Sequence, residues 1–114
     1  MDKTNKKLSF TRVSRIVRQV ARQGRAELAL LFGSIVRGTA TEHSDIDIII
    51  VETTRQRYLK RLDKYFGTFC QKFNGGVDLF VYTPAEFERM KKGSFVGRAL
   101  REGKIVYERR KVKK

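Results

Sequence analysis

The sequence predicts an α/β (α+β) fold: one small domain with a mixed β-sheet of about four strands flanked by helices. Apolar residues recur at helical spacing near the start, and short β-branched runs follow. Helix-like and strand-like segments then alternate to the end of the chain. At 114 residues there is room for one compact domain, and 40% hydrophobic residues, among them eight Phe and four Tyr, suffice for one core.

Residues 1–8 are polar and expected to be a flexible N-terminus; residues 9–108 form the predicted domain and 109–114 a basic tail. From Ser9 to Gln23, Val13, Ile16, Val17, Val20 and Ala21 share a helix face opposite a row of arginines, with Gly24 as the stop. Glu27 to Phe32 is short, apolar and ended by glycine, which reads as a buried strand. Asp45 to Val51 (DIDIIIV) is the strongest strand in the chain because of its β-branched residues. Thr54 to Phe73 reads as one long amphipathic helix carrying Tyr58, Leu59, Leu62, Tyr65, Phe66, Phe69 and Phe73 on its inner face, with Gly67 a weak point. Asn74-Gly75-Gly76 marks a turn, and Val77 to Tyr82 a third strand. Thr83-Pro84-Ala85-Glu86 has the form of a capping box with proline in the first turn. Ser94 to Leu100 is a further short helix, and Lys104 to Glu108 an edge strand.

Lys and Arg number 26 against 12 acids, a formal net charge of +14. Such a field attracts nucleotides, nucleic acid or an acidic protein; it equally fits a lysine-rich surface kept for solubility. The longest strongly apolar run, Ile46 to Val51, is broken by Asp47 and falls far short of the ~20 residues of a membrane-spanning helix. No apolar signal segment opens the chain, and the lone Cys70 excludes an internal disulfide or a cysteine-based zinc site. A cytoplasmic protein is the expectation. Cys70 itself reads as a helix-face or core residue.

The chemistry concentrates between Leu31 and Val51, LFGSIVRGTATEHSDIDIIIV. Gly33-Ser34 follows an apolar strand, where a glycine lets backbone approach a phosphate and amides plus a hydroxyl can bind it. The same pair also fits a plain turn. Asp45 and Asp47 lie two apart on a strand, on one face, while Ile46, Ile48 and Ile50 point to the other. Paired carboxylates beside a buried sheet need a compensating cation, and Mg²⁺ suits them because it takes a few carboxylate oxygens and leaves positions for phosphate. Taken alone, the pair also fits a solvent-exposed strand start with Ser44 and Asp45 in a turn. Asp78, between Val77 and Leu79, has no packing reason to be charged. If its strand lies beside 45–51, three carboxylates converge as in two-metal phosphoryl transfer.

Gly33-Ser34, ten residues, then Asp45-Ile46-Asp47 resembles the signature of the polymerase-β-like nucleotidyltransferase superfamily. Within it, GSIVRGTATEHSDIDIIIV is similar to the minimal nucleotidyltransferase (MNT) group, including Arg37-Gly38 and Ser44 to Asp47. VDLFVYTPAEF and REGKIVYE extend the resemblance over roughly residues 10 to 109. It implies a nucleotidyltransferase in which Gly33 and Ser34 hold the β- and γ-phosphates, with Arg37 and Ser44 as further nucleotide-binding candidates. Asp45 and Asp47 would bind two Mg²⁺ ions (or Mn²⁺), and Asp78 the catalytic one while helping to deprotonate an acceptor hydroxyl. That hydroxyl would take NMP, expected to be AMP from ATP, and release pyrophosphate. The group's habit adds a helical HEPN-type partner, with this chain as the antitoxin that attaches AMP to a partner tyrosine. His43 reads as solvent-exposed. Two other readings stand beside this one: a non-catalytic nucleotide-binding interaction subunit and a basic nucleic-acid binder. The latter is disfavoured because the aromatics show core-like periodicity. A homo-oligomer is left open.

Overall fold

The computed structural model describes residues 6–109; expectations for residues 1–5 and 110–114 lie outside the described residues. Phe10–Gln23 forms α1, capped by the Ser9 hydroxyl, which accepts from the Arg12 amide at 3.1 Å. Val13, Val17, Val20 and Ala21 are buried along it, while Arg12, Arg15 and Arg22 face solvent. Gly24 ends the helix, but with φ −81°; the left-handed residue is Arg25, at φ 63°. The glycine serves packing instead, since a Cβ there would stand 2.5 Å from Tyr65 Cε1.

The sheet consists of β1 (Leu28–Phe32), β2 (Asp45–Val51), β3 (Gly76–Tyr82) and β4 (Lys104–Glu108), in the order β3-β2-β1-β4. β2 and β3 are parallel; β1 pairs antiparallel with both β2 and β4, giving the predicted mixed sheet with β4 at an edge. The period of two divides β1, β2 and β3 between two cores. Ala29, Leu31, Ile46, Ile48, Ile50, Val77, Leu79 and Val81 face α1 and α4 (Phe66–Lys72). Leu30, Ile49, Val51 and Tyr82 face α5 (Pro84–Met90) and α6 (Ser94–Glu102), through Phe87, Val96 and Ala99. The Thr83–Glu86 capping box is present in both directions.

Two expectations need correction. The long helix 54–73 is broken into α3 (Tyr58–Leu62) and α4. Its aromatic stripe splits accordingly: Tyr65, Phe69 and Phe73 are buried, whereas Leu59 is 75% and Phe66 45% exposed. Arg61 and Tyr65 anchor the two halves to different elements. The Arg61 guanidinium is buried, donates to the Val81 carbonyl at 3.1 Å and pairs with Glu86 at 2.7 Å. The Tyr65 hydroxyl donates to buried Glu52, at the end of β2, which also receives Lys64 Nζ at 3.0 Å. Cys70 lies exposed on α4, the helix-face alternative of the two read for it.

Residues 6–8 are also more engaged than a loose terminus would be. Leu8 packs on the larger core, its amide donates to the Ala40 carbonyl at 3.0 Å, and Lys7 bridges to Thr41. At the other end, the Arg109 amide donates to the Glu27 carbonyl at 2.9 Å. No helix among the described residues is long and apolar enough to cross a membrane.

Candidate active site

The smaller core covers only part of its sheet face. Toward the C-terminal end of β1 and the N-terminal ends of β2 and β3 that face carries Phe32, Asp45, Asp47 and Asp78. Register does the assembling. Asp47 stands opposite Phe32 on one side and opposite Asp78 on the other, and Asp45 stands opposite Gly76. A parallel pair in this register brings residues 31 positions apart in sequence side by side (78 against 47).

β1 ends in Gly33, and Ser34–Arg37 forms the short helix α2. Gly33 adopts φ 78°, ψ −150°, a conformation essentially restricted to glycine. The site gives a second reason for the residue: a Cβ there would run into the Asp47 carboxylate. The Asp47 oxygen thus lies directly against the Gly33 backbone, where the strand turns into α2. Gly76 is constrained similarly, since a Cβ on it would come 2.5 Å from Asp45 Oδ1.

Asp47 is half-buried and its carboxyl is pushed up to about 6. Burial is the largest cause; the Asp78 side chain within hydrogen-bond reach comes next, then the negative charges of Asp78 and Asp45. Arg37 alone among these neighbours pulls it down. This is an excess of negative charge in a partly desolvated place, suited to a hard cation with oxygen ligands. Among the described residues, however, no three His, Cys, Asp or Glu side chains stand close enough to form a ready-made metal cluster. Asp45 leans toward Gly76, and successive same-face residues on a strand are about 6.6 Å apart. A donor set of Asp47 and Asp78 in contact, with Asp45 nearby, fits Mg²⁺, which retains several waters.

A pocket of about 260 Å³ opens beside Asp47. Its floor is Phe32, Gly33 and Asp47, Arg37 stands at its side, and α6 supplies the far wall through Phe95, Arg98, Ala99 and Glu102. Gly33, Arg37 and Asp47, singled out from sequence, therefore share one cavity. Ser44 is not part of it. Its hydroxyl accepts from the Thr41 amide at 2.9 Å, holding the turn before β2, and it lines a separate cleft with Arg12, Lys72 and Gly75. His43 is exposed on that turn. The α6 wall went unrecognised in the sequence, although residues 95, 98, 99 and 102 are spaced for one helix face. That spacing was legible; what it faces depends on where α6 packs.

Comparison with known proteins accords with this arrangement. The family model for polymerase beta nucleotidyltransferases matches residues 14–112. A Methanocaldococcus jannaschii protein, whose name assigns it provisionally as a protein adenylyltransferase, is 33% identical over 85 residues, covering 75% of this chain and 82% of its own. Among solved structures, a chain of a toxin–antitoxin crystal structure with AMP-PNP superposes with a TM-score of 0.62 at 21% identity, covering 84% of this chain and 73% of that one. A Shewanella oneidensis complex of a tri-AMPylated HEPN toxin with an MNT antitoxin gives 0.58 at 17% identity, covering 88% and 73%. At such identities the structural likenesses establish a shared fold. With nearly the whole chain matched by the family model, the protein belongs to the polymerase beta nucleotidyltransferase family and is a nucleotidyltransferase.

Proposed function

We propose that this chain transfers AMP from ATP to a hydroxyl on a protein partner, with Asp45, Asp47 and Asp78 as its catalytic carboxylates. The observation that carries the reading is the juxtaposition of Asp47 with Asp78 on one side and the Gly33 backbone on the other. Triphosphate lying along Gly33-Ser34 would be held by backbone amides, the Ser34 hydroxyl and the Arg37 guanidinium. A divalent cation on Asp45, Asp47 and Asp78, Mg²⁺ by preference, would neutralise phosphate charge and make the α-phosphorus more electrophilic. Asp78 is exposed at the pocket side of the sheet, where it can accept the proton of an incoming hydroxyl. The acceptor oxygen bonds to the α-phosphorus in line, the bond to the bridging oxygen breaks, and pyrophosphate leaves.

Placing the acceptor hydroxyl against the α-phosphorus is where much of the rate comes from, and a protein partner would supply that placement. A tri-AMPylated HEPN toxin in complex with an MNT antitoxin among the structural neighbours supports a HEPN-type partner, and the hydroxyl proposed on it is a tyrosine's. The test is intact-mass spectrometry of a co-purified partner incubated with this protein, ATP and Mg²⁺. Increments of AMP with the parent and none with the Asp45→Asn/Asp47→Asn variant are expected. A stable complex that binds Mg-ATP but gains no mass would leave an interaction subunit without transferase activity toward that partner.

A further inference from the structure

We propose that Phe95 is the platform on which the nucleobase stacks, and that it makes the pocket favour purine over pyrimidine nucleotides. The inference rests on the nucleotide site proposed above and adds a specificity residue to it. Phe95 lies on α6 and is 43% exposed, though it is among the largest apolar side chains on this face. Beneath it Phe32 and Phe80 are already half-buried and in contact with each other, their centroids 6.4 Å apart. Phe95 meets Phe32 edge to face at 5.6 Å and Phe80 at 4.9 Å, so its position is fixed by two rings while much of its surface stays in solvent. The same side chain lines the pocket that contains Gly33, Arg37 and Asp47. One cavity is therefore lined both by phosphate-suited groups and by an exposed aromatic ring.

Beyond that ring along α6 the rim is polar. Arg98 Nε and Glu102 pair at 3.3 Å, both exposed, one turn along the same helix face. A base between Phe95 and this rim would have its ring face on an apolar partner and its edges near water. Stacking accepts any base, and strengthens with the area of the base. Two fused rings cover more of Phe95 than one.

The experiment is titration calorimetry of the full chain with Mg-ATP, Mg-CTP and magnesium tripolyphosphate, the last having the phosphates but no base. ATP should bind the parent about tenfold or more above tripolyphosphate and measurably above CTP. Phe95→Leu should lose about tenfold toward ATP and change tripolyphosphate by less than about twofold, whereas Phe95→Trp should retain ATP affinity. A parent that binds tripolyphosphate as tightly as ATP overturns the platform and leaves the phosphate site standing. So does a folded Phe95→Leu variant with undiminished ATP affinity, or with equal losses toward both ligands. Should Phe95→Leu fail to fold, the parent's ligand order and Phe95→Trp decide alone. A parent that binds none of the three overturns the platform together with the nucleotide site.

Discussion

Replacing Gly33 by alanine separates two roles of this glycine, and Gly38 is the control built into the same segment. Both have positive φ, 78° and 83°. Gly38 is in the ordinary left-handed region, with nothing within 4 Å of a would-be Cβ. An alanine there meets only backbone strain, about 1–2 kcal/mol. Gly33 has ψ −150°, where a side-chain-bearing residue is strained by about 1–3 kcal/mol. Its Cβ would also collide with the Asp47 carboxylate, which must rotate off its place at a further 0.5–1.5 kcal/mol, roughly. Gly33→Ala should therefore destabilise by about 1.5–4.5 kcal/mol, exceeding Gly38→Ala by about 0.5–2.5 kcal/mol. Urea unfolding in the presence of a chelator measures both. Since the displaced group is Asp47, calorimetry should show weakened Mg-ATP binding for Gly33→Ala at concentrations where the variant is folded, with Gly38→Ala much closer to the parent. Equal stability losses together with unchanged Mg-ATP binding in Gly33→Ala would refute the coupling of this turn to the carboxylate.

Two further outcomes concern the frame around the site. The Arg61 guanidinium, with help from the Thr83 amide, holds the Glu86 carboxyl down at about 2 against an ordinary 4.5. Because the folded-state value is the lower one, this stabilisation is complete above about 4.5 and is lost as pH falls toward 2. Glu86→Gln should cost about 1.5–3 kcal/mol at neutral pH and flatten the acid limb of a urea-midpoint profile between pH 5 and 2. An unchanged acid limb would show that the pair contributes nothing. On α4, Phe69→Ala should destabilise by about 3–5 kcal/mol and Phe66→Ala by no more than about 0.5 kcal/mol, because only Phe69 is buried. Comparable losses at the two positions would contradict the split stripe.

Much of this architecture was legible in the residues themselves. Strand β2 could be read because β-branched side chains on a two-residue period identify an extended segment, and that period alone puts Asp45 and Asp47 on one face. The start of α5 was legible because a capping box is a local hydrogen-bond circuit within four residues. The break between α3 and α4 was not. The stripe 58-62-65-69-73 keeps helical spacing through it, so nothing in the periodicity marks where α3 ends and α4 begins.

The candidate site divides in the same way. Which residues could serve it was written in the chain: a glycine ending an apolar strand, two acids at strand spacing, and a third acid with no packing reason to be charged. Their meeting was not, since periodicity fixes a side chain's face but not the neighbouring strand or its register. Parallel pairing of β2 with β3 placed Asp78 against Asp47, and the turn at Gly33 closed on the same carboxylate. Ser44, equally prominent in the motif, is held in its own turn by Thr41 and lines a different cleft. Phe95, Arg98 and Glu102 became part of the pocket only through the packing of α6, because burial of Val96 and Ala99 against the sheet determines which helix face is left to look across at Asp47.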